Sequence, residues 1–517
     1  MNSDLQAPSR EPRSRLLEPG RNCWRLERAE RMGLIVDAAD YFVHLRGALL
    51  SAQRQVLMIG WDFDLEIEML PGQSDADGLA PDGYPNAVGP FIRAVVERSP
   101  DLRFYMLKWN GAALLAPGRI VPSILMSATT GERIRFALDG HHPFGACHHQ
   151  KIAVVDDALA FCGGIDVTED RWDTSAHMPN DPWRVRKDGS PAVPWHDATT
   201  ALTGPTAAAL GELARDRWHR ATGETLDAPE TSDPTEWPEG LEVALRDVEV
   251  AIARTEPPYD GTSLVNEIER LYLDGIAAAR ETIYLESQYF AAESVCDAIE
   301  ARLREPGGPE VVVLNPEAAL AEFEDSAMHP IRGRMIERLR AADAEDRFRI
   351  WHPVNAAGEP IYVHAKVMVI DDLLLRIGSS NLNDRSMGFD TECDVAVEGG
   401  DEATRRAVLA FRHRLVAEHL GVKPADVSDA CAAQGTLITA MEALRRPEGR
   451  GLREIERRPE GLLDSSLADT QLLNPRYEAG RAHLAGRGIR PRYLAAGAAV
   501  VALGIGLWFV WRRTDRD

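Results

Sequence analysis

One short pattern occurs twice in this chain, and each copy sits in the same succession of segments. HQKIAVVD carries His149, Lys151 and Asp156; HAKVMVID carries His364, Lys366 and Asp371. A glycine follows each histidine at equal spacing, Gly163 with Gly164 in GGID and Gly378 with Ser379 in GSSN. Upstream of each copy lies an apolar helical face: Tyr41, Leu45, Ala48, Leu49 and Ala52 in the first, Leu264, Ile268, Leu271, Tyr272 and Gly275 in the second. The strands VLMIGW and TIYLES follow these helices, then LRFYMLKW and EVVVLNP, then IRFALDG and FRIWHPV. Apolar runs of this length between helical segments read as buried strands of an α/β sheet. The repetition restricts the chain to two similar α/β halves, packed as a pseudo-dimer with one site at the seam. The boundaries expected are a flexible arm over 1–22, a first half over 23–220, a linker over 221–245 and a second half over 246–420. A helical extension follows over 421–491, of which 447–491 reads as a tether.

Residues at i and i+2 of a strand share a face, so His149 lies beside Lys151 and His364 beside Lys366. Asp156 and Asp371 fall at an odd offset from their histidines and are expected to be structural, at the strand ends. Two histidines and two lysines suit phosphodiester cleavage. Lysine neutralises the non-bridging oxygens. One imidazole attacks phosphorus, and the other protonates the leaving alkoxide and then activates water or an alcohol. Such chemistry needs no metal and no cofactor. Ser379 and Asn381 are the expected donors to the phosphoryl oxygens. Gly163 and Gly164 are expected to allow close backbone approach. Each histidine needs a carboxylate on its far nitrogen. Asp197 and Glu392 are the candidates, with Asp166, Asp173, Asp390 and Asp394 nearby in sequence.

The net charge of −23 argues against a nucleic-acid partner and against bulk electrostatic adhesion to an anionic membrane. Six scattered cysteines form no CxxC pair and read as reduced, buried thiols. His141, His142, His148 and His149 cluster without a regular ligand spacing and read as a loop. The N-terminus lacks the apolar stretch of a secretory signal. Near the other end, 493–511 carries no charge and is flanked by arginines, and a transmembrane helix is expected over 492–513. The arginine bias places the catalytic part on the cytoplasmic side.

GGIDVTEDRWDT, PWHDATTALTGP, YLESQYF and IGSSNLNDRSMGFDTE, together with the doubled motif, resemble the phospholipase D superfamily over roughly residues 30–420. They are most similar to its phosphatidylcholine-hydrolysing branch, with Asp166 where the nucleases and cardiolipin synthases usually carry asparagine. The resemblance implies repeated sandwich domains, a membrane phospholipid substrate, and release of phosphatidic acid and a headgroup alcohol. It also implies His149 as nucleophile and His364 as general acid and base. A phosphatidyltransferase of the cardiolipin synthase kind shares the same motifs, and a nuclease is the more distant alternative. No C2, PX or PH module is expected before the repeated core, and the C-terminal helix is expected to supply the bilayer contact.

Overall fold

The computed structural model describes residues 15–111, 120–230, 236–455 and 474–475. The expected span over 492–513 lies outside them. Among the described residues no helix is long and apolar enough to cross a membrane.

The first half contributes β1 (Arg25–Val36), β2 (Gln55–Gly60), β3 (Arg103–Trp109), β4 (Ile134–Asp139), β5 (Ile152–Val155), β6 (Leu159–Gly163) and β7 (Ala198–Thr203). The second contributes β8 (Leu245–Glu256), β9 (Thr282–Glu286), β10 (Glu310–Leu314), β11 (Phe348–Val354), β12 (Val367–Ile370), β13 (Leu374–Gly378) and β14 (Glu392–Glu398). A further strand, β15, spans Gly451–Glu454. The spatial order is β15-β11-β10-β9-β12-β13-β14-β8-β1-β7-β6-β5-β2-β3-β4. Read outward from the β1–β8 pair, both halves repeat one order. In each, the three outer strands run parallel (β2–β3–β4 and β9–β10–β11) and the inner pairings are antiparallel. β1 and β8 pair antiparallel, Arg25 opposite Ile252 and Met32 opposite Leu245, so the halves share one mixed sheet.

Side-chain alternation explains how strands with no polar face are accommodated. Ile152 and Val154 of β5 join a core that runs through both halves, while Ala153 and Val155 join a core confined to the first. Val367 and Val369 of β12 belong to the shared core, and Met368 and Ile370 to one centred on the second half, which also takes in Leu17 and Cys23. Helices Pro205–Thr222 and Glu402–Leu420 cover the shared face through Ala207, Leu210, Val408 and Leu415. The sheet curls at the seam: Cys162 of β6 and Cys393 of β14, on opposite sides of the β1–β8 pair, bring their sulfurs to 3.8 Å. This curl draws the two motif strands toward one another. All described cysteines are unpaired, and Cys431 alone among them is not fully buried.

Three boundary segments are ordered against the rest of the fold. Residues 15–22 are not a loose arm. Leu17 and Asn22 are buried, and the backbone N–H groups of Leu16 and Leu17 donate to the Glu398 carboxylate. The linker lies against the first half, with Trp237 and Leu241 packed over Gly33. Within the expected tether, β15 extends the sheet by pairing antiparallel with β11, and Leu452 and Ile455 are buried. In each case a short segment gains its order from a partner distant in sequence.

Candidate active site

The His-Lys pair of each half stands just before its strand, β5 or β12, at the end nearest the seam. Each approach is fixed by backbone pairing with the opposite half. The His149 N–H donates to the Thr391 carbonyl at 2.8 Å, immediately before Glu392. The His364 N–H donates to the His196 carbonyl at 2.8 Å, immediately before Asp197. The two halves therefore exchange carboxylates. His364 Nδ1 lies 2.6 Å from Asp197 Oδ2. His149 Nδ1 lies 2.9 Å from the Ser379 carbonyl and 3.1 Å from Glu392 Oε2. With Nδ1 engaged, each ring keeps Nε2 for chemistry.

The other nearby carboxylates are committed elsewhere. Asp173 accepts from Arg184, His177 and the Trp195 N–H. Asp390 pairs with Arg385, and Asp394 with Arg376 and Ser380. Asp166 lies 3.1 Å from Lys151 Nζ and also accepts from the Trp61 N–H. Asparagine, in Asn381, occupies the corresponding position of the second motif. Lys366 is fully buried and donates to the His364 carbonyl. Burial lowers its ammonium to about 7, against the pull of Asp197.

Both histidines sit well below the usual imidazole range. For His149 burial dominates, followed by the charges of Lys151 and Lys366. For His364 burial is followed by Lys366, Arg171, Lys151 and His149. Four motif side chains from two halves thus act on one another within a single electropositive centre. Burial also raises Glu392 to about 8, although Ser379 and Ser386 donate to it.

Asp156 and Asp371 lie in turns after the motif strands, at φ of 52° and 50°. Each carboxylate accepts a fan of three backbone N–H groups. Asp156 takes those of Gln53, Arg54 and Gln55 at 2.7–2.8 Å. Asp371 takes those of Arg280, Glu281 and Thr282 at 2.7–2.9 Å. They pin the start of the neighbouring strand, β2 or β9.

Of the expected phosphate donors, Ser379 is engaged within the protein. The Ser379 hydroxyl donates to Glu392 at 2.5 Å, and its N–H donates to Asp394. Ser379 thus holds the carboxylate that faces His149. Gly163 and Gly164 serve packing. A Cβ on Gly163 would stand 2.4 Å from Thr199, and one on Gly164 2.2 Å from Asp197 Oδ1. The Gly164 N–H already donates to the Ala198 carbonyl. Asn381 keeps a buried side-chain oxygen with no partner and stands beside the Ser386 hydroxyl that serves Glu392.

Two further residues belong to the site. The Trp195 ring lies 5.0 Å from that of His364, and the Arg171 guanidinium lies 4.3 Å over Trp195. The buried Arg171 Nε has no hydrogen-bond partner. The DRWD and PWHD segments held these residues in view, but only the fold places their side chains beside a histidine.

The fold and the paired motifs define one site built from both halves. Residues 272–413 match a family model described as a cardiolipin synthase, phospholipase D-like domain. Phospholipase D alpha 1 of Vigna unguiculata is 23% identical over 72% of this chain and 63% of its own length. Phospholipase D alpha 1 of Oryza sativa is 26% identical over 53% of this chain and 49% of its own length. Phospholipase D1 of Schizosaccharomyces pombe is 23% identical over 75% of this chain and 35% of its own length. The chain therefore spans less than two thirds of these relatives. Phosphatidylserine synthase of Haemophilus influenzae superposes with a TM-score of 0.50 over 75% of this chain and 86% of its own, at 12% identity, a likeness of fold. In these matches the chain is similar to the phospholipase D superfamily.

Proposed function

We propose that this protein cleaves the distal phosphodiester of a glycerophospholipid, giving phosphatidic acid and a headgroup alcohol through a phosphohistidine. The observation that carries this reading is the crossed arrangement of the two imidazoles, each fixed at Nδ1 by an acceptor of the opposite half. Lys151, Lys366 and Arg171 supply the positive field for the phosphoryl oxygens.

The unequal acceptors support a division of labour. His149 gives its Nδ1 proton to a neutral carbonyl at the shorter distance, which keeps Nε2 a free lone pair. Attack by this nitrogen on phosphorus forms the P–N bond as the P–O bond to the headgroup breaks. His364 faces Asp197 at 2.6 Å, a partner able to stabilise an imidazolium. The arriving phosphodiester anion offsets the lysine charges and raises the proton affinity of His364. Its Nε2 proton then passes to the leaving alkoxide. In the second step His364 takes a proton from water, and hydroxide displaces His149 from phosphorus.

An alcohol in place of that water would make the chain a phosphatidyltransferase. The family description and the named synthase of similar fold keep this reading beside the first. The similarity to named phospholipases D supports a lipid substrate, as does Phe144, 99% exposed and five residues before His149. The uncharged run over 493–511 would hold the enzyme at a bilayer, with its catalytic part in the cytoplasm. Headgroup release from defined phospholipid vesicles, with water, glycerol or phosphatidylglycerol as acceptor, tests the proposal. Release of free headgroup with phosphatidic acid is expected. Cleavage of DNA with none of lipid would overturn it.

A further inference from the structure

We propose that Asp37, His177, His196 and Glu418 form a structural site for one divalent transition-metal ion, Zn²⁺ by its donor set, joining the two halves. The first three come from the first half, and Glu418 comes from the helix Glu402–Leu420 of the second. None of them belongs to the paired motifs. Asp37, His177 and His196 are buried, and Glu418 is partly buried with its side chain 5% exposed.

One donor atom from each residue lies within 4.8 Å of the other three, within reach of a single ion. Bonds of about 2.0–2.1 Å place neighbouring ligands roughly 3.3 Å apart. Glu418 Oε1 lies 3.2 Å from His177 Nε2 and 2.8 Å from His196 Nδ1. Asp37 Oδ1 lies 3.3 Å from His196 Nδ1, and Asp37 Oδ2 lies 3.9 Å from His177 Nε2. Two imidazoles and two carboxylates make a set suited to Zn²⁺.

The outer partners point the same way. The far nitrogen of His177 meets Asp173 at 2.9 Å, and that of His196 meets Glu286 at 2.9 Å. A carboxylate behind each ligating imidazole fixes its tautomer and raises its basicity. A neutral ring donates from one nitrogen only, yet both rings face carboxylates on both sides. Each ring must therefore hold two protons, or a cation must stand on the inner side. One divalent ion replaces the two inner protons with no change in total charge.

The site's position gives the ion a task. The His196 carbonyl accepts the N–H groups of His364 and Ala365, and Asp197 follows directly. The Asp37 N–H donates to the Asp197 carbonyl, and Asp37 Oδ1 accepts from the Asp197 N–H. An ion here pins the segment that positions His364, without touching substrate.

The test uses the full chain, stripped with chelator, desalted and titrated with Zn²⁺ or with Co²⁺ alone. Retention of one equivalent of Zn²⁺ and the intense visible bands of four-coordinate Co²⁺ are expected. Both should be lost in Glu418→Ala and in His177→Ala, and kept in the double variant His149→Gln/His364→Gln. Circular dichroism verifies the fold of each variant. Folded wild type that retains no Zn²⁺ overturns the proposal independently of any variant. So does a folded Glu418→Ala protein that keeps the equivalent, or its loss from the double variant.

Discussion

Asp197 of the first half holds His364 of the second, Oδ2 to Nδ1 at 2.6 Å, across 167 positions of sequence. The opposite exchange, Glu392 to His149, is longer at 3.1 Å and is shared with the Ser379 carbonyl. The two orienting carboxylates are therefore unequal. Asp197→Asn is expected to lower kcat by roughly 10²–10⁴-fold, because the amide neither stabilises an imidazolium nor enforces the tautomer. Glu392→Gln leaves His149 its carbonyl acceptor and should cost on the order of tenfold. Steady-state headgroup release by the two variants checks the ranking, and an equal loss in both would contradict it.

Asp156 and Asp371 carry the third letter of each motif but serve the backbone. Asp156→Asn keeps an acceptor while removing the charge that three N–H groups share. A loss of about 1–3 kcal/mol in unfolding free energy is expected. The turnover of the folded fraction should stay within a few-fold of wild type. Denaturant titration with activity measured on the same samples separates the two effects. A full loss of activity at unchanged stability would place the aspartate in the chemistry.

The Lys366 ammonium, held at about 7 by burial, sets the direction of an alkaline limit. Its folded value lies below the ordinary lysine value of 10.5, so the positive charge is present below pH 7 and is lost as pH rises through that value. The profile of kcat/KM, which reports the free enzyme, should fall on this side. The limb for kcat should lie at higher pH, because bound phosphodiester favours the charged lysine. Lys366→Arg, which stays charged, should lower activity and abolish the limb. Persistence of the limb in that variant would assign it to another group.

Much of this arrangement is legible in the chain itself, and the limits are instructive. Continuous apolar runs and matched segment order foretell the repeated strands, because the β5 and β12 runs are apolar on both faces. The odd offset of Asp156 and Asp371 separates them from the His-Lys face, since it follows from the strand pleat. Which carboxylate serves which histidine does not follow from local spacing: the partners lie 167 and 243 positions apart, and the curl at the seam pairs them. The same holds for Ser379, whose hydroxyl could bind phosphate or carboxylate until Glu392 is placed beside it. Gly163 and Gly164 look like phosphate-binding glycines, yet Thr199 and Asp197 occupy the space beside them. Residues 15–22 and Gly451–Glu454 are too short to declare their burial without the partners that cover them.

The central claim is a covalent phosphoryl group on His149, released with the help of His364. The most direct measurement is rapid trapping by an alkaline quench, which preserves the P–N bond, with a labelled phosphodiester bearing a good leaving group, followed by mapping of the labelled residue. His364→Asn should accumulate a phosphoryl adduct on His149. His149→Asn should form none and should lose turnover by roughly 10⁴-fold. An adduct on His364 in the His149→Asn protein, or turnover sustained without His149, would contradict the account.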